Sequence, residues 1–225
     1  YDRAAVFPET ETERILAEGL GPYRYFAEPG VMPPNTGMTR GLACLDGYDA
    51  LDPLSYVRTR PYAMKPGAHP LLAWNARGAD LASPAVRMLG VKYLVLGSPL
   101  EPRQLTDWEL VASPRPGPGL PYAETFLYEA RAPWPRAFCV TEALLPEEIQ
   151  PVLATWDPRQ TAILLKSWST DRPAQTMVVS DPVGSNRRVT CTVELDGEAL
   201  FVLTDQYFDG TVFRVNGVVH DSIPV

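Results

Sequence analysis

The sequence predicts an α+β fold, with a mixed α/β part containing short helices over residues 1–170 and an antiparallel β-sandwich over residues 171–225. Three observations predict it: a buried strand preceded by a helix signal, a run of strictly alternating polarity, and two hairpin dipeptides. The buried strand is the apolar run at residues 91–96, and the helix signal before it is Ser83-Pro84, since serine is a good N-cap and proline suits the first turn.

The alternation lies in the C-terminal part. Over residues 188–196 apolar and polar residues alternate, as in a strand with one face on a core. Asp196-Gly197 predicts a hairpin with a return strand at 199–203, and Asn216-Gly217 predicts a second hairpin after a strand at 211–215. Only eight residues follow Asn216-Gly217, so the sandwich is expected to be truncated at its C-terminal end. Because Tyr1 is not an initiator methionine, the chain is expected to be a segment of a longer protein.

The first third of the chain is broken by prolines and glycines into short pieces. Residues 11–18 predict a short helix, and residues 22–27 predict a strand because aromatic and polar positions alternate. Residues 38–51 and 53–60 predict short helices, with Pro53 tolerated at a first helical position.

Elements become more regular after residue 80. Gly90 is expected to end the helix that begins at Ser83-Pro84. A dense proline and glycine stretch at residues 113–119 predicts a surface loop. The remaining expected elements are strands at 91–96, 108–112, 125–130, 137–141 and 161–165, and a helix at 146–156.

Composition excludes several function classes. The net charge is −7, from 20 Lys and Arg against 27 Asp and Glu, and the positive residues do not cluster. Nucleic acid is therefore not an expected partner, because phosphate neutralisation needs concentrated positive charge. No apolar run approaches the roughly 20 residues that span a bilayer, and the N-terminus lacks a signal-peptide pattern.

Catalytic, cofactor and metal motifs are not found in the sequence. Cys44, Cys139 and Cys191 are too few for a disulfide scaffold and too widely spaced for a metal knuckle, so we interpret them as packed thiols, leaving open whether Cys139 and Cys191 pair. The carboxylates at Asp46, Asp49 and Asp52 lack the spacing of a calcium loop. No nucleophile elbow or phosphate-binding glycine loop is present, so no cofactor is expected.

Several segments, in order, resemble the soluble part of the bacterial YfhO-type membrane protein family, whose members are multi-spanning proteins similar to lipid-linked-sugar glycosyltransferases of the GT-C class. Two departures from the family pattern are Asp209-Gly210-Thr211 in place of Pro-Gly-Trp, and Asn216-Gly217 in place of Asp-Gly. The matching pieces are Asn35 with Gly41, Gly47-Tyr48-Asp49-Ala50-Leu51 with Tyr56, Leu89-Gly90-Val91-Lys92-Tyr93-Leu94-Val95, Pro135-Arg136-Ala137-Phe138, Trp156-Asp157-Pro158-Arg159, and residues 200–217.

The resemblance implies an accessory domain on the extracytoplasmic face of the bacterial cell membrane. Its partners would be the membrane-embedded remainder of its own chain and a glycan or lipid-linked sugar. The catalytic acid of such a parent would lie on a loop between membrane helices, so the resemblance assigns no catalytic residue to this chain, and the chain alone is expected to be catalytically silent.

Candidate glycan contacts are aromatic and polar residues near turns, because sugar rings stack on aromatic faces and hydrogen-bond to nearby polar groups. The alternative is that these rings pack in the core, and that Arg136 forms a structural ion pair. Two functions of other classes stay open: an autonomous carbohydrate-binding module and a purely structural interaction domain. The candidates are Tyr48, Asp49, Tyr56, Arg136, Asp205, Tyr207 and Phe208, with Trp74 and Asn75 as further members.

Overall fold

Two strands far apart in sequence, Arg24–Ala27 (β1) and Val91–Leu96 (β2), pair in parallel in a computed structural model of the chain. Strands make up 36% and helices 16% of the structure, in several small sheets, which fits the α+β class. The structure describes residues 9–28, 30–32, 37, 40–45, 63–65, 76–115, 124–149, 152, 155–164, 167–180, 182–185, 188–204 and 212–220.

The chain divides into two compact units, residues 1–135 and 136–225. The predicted boundary between residues 170 and 171 lies inside the second unit. The strands Ala137–Val140 (β5) and Leu200–Leu203 (β12) pair within this unit, although one precedes that boundary and the other follows it. Among the described residues, no helix is long and apolar enough to cross a bilayer.

The first unit contains a four-stranded sheet in the order β1-β2-β4-β3, where Trp108–Ala112 is β3 and Phe126–Ala130 is β4. β2 is parallel to β1 and antiparallel to β4. Each strand confirms a prediction, although β1 begins two residues later than expected. Proline and glycine punctuation set the ends of these strands, while the apolar runs set their burial.

Both faces of this sheet are covered. On one face, Tyr93, Val95 and Leu127 pack with Leu16 of the helix Glu11–Gly19 (α1). Because side chains alternate along a strand, the neighbouring residues of β2 and β4 face the other way. These pack with Val86 of the short helix Pro84–Arg87 (α2), and they are Leu94, Leu96 and Tyr128.

The helix ends follow the sequence signals. Thr10 caps α1 through its side chain, which accepts from the Glu13 amide at 3.2 Å, while the Glu13 carboxylate accepts from Thr10 N–H at 2.7 Å. Ser83 caps α2. Gly90, with φ of 68°, turns the chain from α2 into β2, as predicted for a residue that needs the left-handed region.

The second unit has a small core. Phe138 and Val140 of β5 pack on Ala162, with Leu200 and Val202 of β12 against them. Ala162 lies in Thr161–Ile163 (β7), which runs parallel to Glu142–Leu144 (β6). The helix expected over residues 146–156 is described as Pro146–Ile149 (α3) only, and Trp156 is not helical.

The remaining strands of this unit form two-stranded pairs. Met177–Val179 (β8) pairs with Val193–Leu195 (β11), and Val183–Ser185 (β9) pairs with Arg188–Thr190 (β10). Phe213–Val215 (β13) and Val218–His220 (β14) form the predicted hairpin, because Asn216 and Gly217 have φ values of 51° and 84°. The described residues of the unit thus show several strand pairs, and a single sandwich is not shown.

Two expectations about this part are wrong. The strand expected over residues 188–196 is split into β10 and β11, and Val193 and Leu195 are exposed by 37% and 40% rather than facing a core. The hairpin expected at Asp196-Gly197 does not form, because β11 pairs with β8 and β12 with β5. Gly197 is not in the left-handed region that such a turn needs, and the Asp196 carboxylate instead accepts the amides of Gln175 and Thr176 at 2.8 and 2.9 Å.

Candidate functional site

Six of the seven candidate glycan contacts lie outside the described residues, as do Trp74, Asn75 and the carboxylates at Asp46 and Asp52. Those six are Tyr48, Asp49, Tyr56, Asp205, Tyr207 and Phe208. The seventh, Arg136, is described. It is half-buried and directly precedes β5, and its carbonyl accepts the Thr204 amide at 2.9 Å, so its backbone extends the β5–β12 pair by one hydrogen bond.

A shallow depression of about 230 Å³ lies on the second unit and was not predicted from the sequence. It contains an indole, a carboxylate and a hydroxyl, set against small and aliphatic side chains. Its lining residues are Ala143, Leu144, Leu145, Glu148, Ser167 and Trp168.

The wall of the depression is built from two short elements. β6 supplies Ala143 and Leu144, and the Leu144 carbonyl accepts the Leu164 amide at 2.9 Å, which extends the parallel pairing with β7. α3 supplies Glu148, whose Oε2 accepts the Leu145 amide at 2.6 Å. Because Leu145 immediately precedes α3, this bond holds the carboxylate at the start of the helix, where acidic groups are favoured.

The floor carries the chemistry that recognises a sugar. Trp168 is half-buried, and Glu148 is exposed at the rim. An indole offers an apolar face on which the C–H face of a pyranose can stack, while a carboxylate and a serine hydroxyl accept or donate hydrogen bonds at its edge. The arrangement can bind a neutral glycan residue.

A second polar cluster, in the first unit, joins the ends of β1 and β2. Glu28 accepts from Nε and Nη2 of Arg77 at 2.8 and 3.0 Å and from the Gly97 amide at 3.1 Å. Arg77 Nη2 also donates to Ser98 Oγ at 2.6 Å. Each of these groups bonds to another member of the cluster, so we interpret the cluster as a structural clip.

The lysine and tyrosine of the Val91-Lys92-Tyr93 segment also have structural contacts. Lys92 Nζ donates to the Gly19 carbonyl at 2.6 Å, lies 3.4 Å from a Glu129 oxygen, and stacks over Tyr23 and Tyr93 at 5.8 and 5.3 Å from the ring centroids. Burial, and then the Glu129 charge and hydrogen bond, raise the pKa of Tyr93. These contacts tie α1 to the central strand.

Within the described part of the chain, no group of three or more His, Cys, Asp or Glu side chains is arranged to hold a metal ion. Comparison of the chain with family models, with curated proteins and with solved structures gave no match.

Trp168 was missed because sequence reasoning searched for aromatic residues beside turn glycines. A usable signal was present, since Trp168 is flanked by Ser167, Ser169 and Thr170 in a stretch without strand alternation. An indole among small hydroxyl residues in a loop indicates partial exposure. Its approach to Glu148 depends on β6–β7 pairing, which the sequence does not reveal.

Proposed function

We propose that the chain is an extracytoplasmic accessory domain of a YfhO-like, multi-spanning membrane protein and that it positions a glycan acceptor. The observation that carries the proposal is the depression in which the half-buried Trp168 lies beside Glu148 and Ser167. An aromatic floor with polar groups at the rim is the chemistry of a sugar subsite. Catalysis belongs, in this proposal, to the membrane-embedded part of the parent protein.

The arrangement of the resembling segments supports the family context. Ala137 and Phe138, from the Pro135-Arg136-Ala137-Phe138 segment, pair with Leu203 and Val202, from the segment that begins at residue 200. The Val91-Lys92-Tyr93 segment forms the central strand of the other unit. Segments that match the family in order are thus also paired or central in the fold. The proposal includes the C-terminal sandwich, which the antiparallel pairs β8–β11, β9–β10 and β13–β14 support.

The first experiment tests glycan binding. We expect a panel of cello-, chito- and manno-oligosaccharides to contain at least one ligand that changes the tryptophan fluorescence of the chain. Trp168→Ala should weaken that binding at least about tenfold, since it removes the stacking face. Trp134→Ala is the matched control, because Trp134 is also half-buried but stacks with Arg87, 5.9 Å from its ring centroid, in the other unit.

A flat panel with the wild-type chain would overturn the acceptor-positioning role. Equal weakening by Trp134→Ala and Trp168→Ala would also count against it, because it would indicate a general loss of structure. Circular dichroism of both variants checks that the fold is retained.

The second experiment tests location. An antibody raised against this chain should detect an antigen that stays in the membrane pellet after alkaline extraction and that protease removes from spheroplasts. Antigen in the cytoplasmic fraction would contradict the membrane-protein context. Antigen that is released into the medium would favour the autonomous carbohydrate-binding module, which uses the same depression without a membrane anchor.

A structural interaction domain is a second candidate function, and the β13–β14 hairpin favours it. Val215, Val218 and Val219 are exposed by 58%, 60% and 54%, which leaves an apolar strand pair open to a partner. A glycan panel without binders, together with self-association in sedimentation experiments that Val218→Ser reduces, would favour this candidate over the first.

A further inference from the structure

Two of the three cysteines lie on neighbouring elements of the second unit. Cys139 is in the middle of β5, opposite Phe201 of β12, and is 6% exposed. Cys191 lies between β10 and β11 and is half-buried. Cys44 belongs to the first unit, where it bridges to Tyr25.

The strand β8 brings these two cysteines toward one another. Cα atoms of β5 and β8 lie within 8 Å of one another, and β8 pairs antiparallel with β11. Just beyond this pair, Ser180 N–H donates to the Thr192 carbonyl at 2.9 Å, and Thr192 N–H donates to Ser180 Oγ at 2.8 Å. Cys191 is the next residue along the chain, so β8 links its position to that of Cys139.

The electrostatics of the thiols agree with this placement. Burial raises the pKa of both Cys139 and Cys191, and the charge of a Cys191 thiolate raises the pKa of Cys139 further. A thiolate exerts such an effect only on a group near it, because charge interactions weaken with distance.

We propose that Cys139 and Cys191 form an intramolecular disulfide that cross-links β5 to the junction between β10 and β11. The bond would tie the exposed pair β8–β11 to the small core of Phe138, Val140 and Ala162. A unit with so small an apolar core gains from a covalent cross-link.

The oxidant is a low-molecular-weight disulfide such as oxidised glutathione. The Cys191 thiolate, from the more exposed thiol, attacks one glutathione sulfur and forms a mixed disulfide, while one glutathione thiolate leaves. The Cys139 thiolate then attacks the Cys191 sulfur, and the second glutathione thiolate leaves. The two protein thiols lose two electrons and two protons, and oxidised glutathione gains them as two glutathione thiols.

The test is oxidation of the whole chain with oxidised glutathione, followed by alkylation of the remaining thiols and tryptic mapping without reduction. The thiol content should fall from the three of the sequence to one. The tryptic peptides 137–159, with Cys139, and 189–214, with Cys191, should appear as one linked species, while peptide 41–58, with Cys44, is alkylated. Reduction before alkylation should separate the linked pair.

Three variants sharpen the test. Cys44→Ser is the matched control and should leave the linked pair unchanged. Cys191→Ser and Cys139→Ser should each abolish it. Because Cys139 is buried and its replacement can perturb folding, Cys191→Ser carries the decision. Persistence of three alkylated thiols in the wild-type chain, or linkage through Cys44 or between two chains only, would overturn the proposal.

Discussion

The Glu28 carboxylate receives the guanidinium of Arg77 side-on, with Nε 2.8 Å from Oε1 and Nη2 3.0 Å from Oε2. Glu28 follows β1 and its side chain is only 7% exposed, while its Oε2 also accepts the amide of Gly97, the residue after β2. One buried carboxylate thus joins the ends of two parallel strands. The strands themselves are distant in the sequence, so this junction is made only in the folded chain.

Glu28→Gln should therefore destabilise the first unit. The substitution keeps the shape but removes the charge from a bidentate pair, and we expect the free energy of unfolding to fall by about 2 kcal/mol. Urea unfolding followed by circular dichroism measures it. Glu18→Gln is the control, because the Arg14–Glu18 pair is exposed and contributes only about 0.5 kcal/mol. Equal effects of the two substitutions would contradict this role for Glu28.

Thr125 provides a case in which a polar group is expected to weaken the fold. Thr125 is 1% exposed, and its Oγ1 has no hydrogen-bond partner in the part of the chain that the structure describes. Thr125→Val replaces the hydroxyl with a methyl of similar shape and should raise the free energy of unfolding by about 1 kcal/mol. Thr125→Ser keeps the hydroxyl, removes the methyl and should lower it. A loss of stability in Thr125→Val would indicate that the hydroxyl has a partner.

Gly197 is required for space rather than for backbone freedom. A Cβ there would lie 2.7 Å from the Arg172 carbonyl oxygen and 2.8 Å from the Ala174 backbone, atoms that cannot move without shifting the chain. Gly197→Ala should lower the free energy of unfolding by about 2 kcal/mol. Gly217→Ala meets no atom within 4 Å and should cost only the strain of its φ of 84°, about 1 kcal/mol. Thermal unfolding compares them, and a wild-type melting temperature for Gly197→Ala would be the contrary result.

Asp157 predicts a dependence of stability on pH. Hydrogen bonds from Arg159, at 2.9 Å from its amide and 3.0 and 2.8 Å from Nε and Nη2, hold the pKa of Asp157 below its usual value of 3.8. Because the pKa is lower in the folded state, this stabilisation is complete above the usual value and is lost as the pH falls through the lowered one. The pair is partly exposed, so its contribution is below about 1 kcal/mol.

The measurement is unfolding of the wild-type chain and Asp157→Asn by urea across the acidic range. The stability difference between them should be constant near neutrality and should shrink as Asp157 is protonated. A difference that grows toward low pH would contradict the sign of the shift.

Elements with local signals were predictable from the sequence. Ser83 caps α2 with its own side chain, and Gly90 ends the turn after it with a positive φ. The hairpin at Asn216-Gly217 forms because both residues adopt the left-handed region that this turn needs. In each case a few neighbouring residues decide the conformation, so the pattern alone is sufficient.

Strand partners were less predictable. Asp196-Gly197 resembles Asn216-Gly217 in sequence, yet β11 and β12 take partners elsewhere in the unit. The Asp196 carboxylate binds the Gln175 and Thr176 amides, and Gly197 approaches Ala174, so distant residues override the local preference. The depression at Trp168 was missed for the same reason, because Glu148 and Trp168 meet through the β6–β7 pairing.

The parallel pairing of β1 with β2 also has a kinetic consequence. Arg24 pairs with Val91, and Val140 pairs with Leu200, so each unit must close a long loop before its main strand pair can form. The β13–β14 hairpin closes locally, within about 1–10 μs, and presents its valines early. An apolar edge that exists before the slow pairs assemble favours intermolecular association. Refolding from denaturant should therefore recover more native chain at low protein concentration than at high.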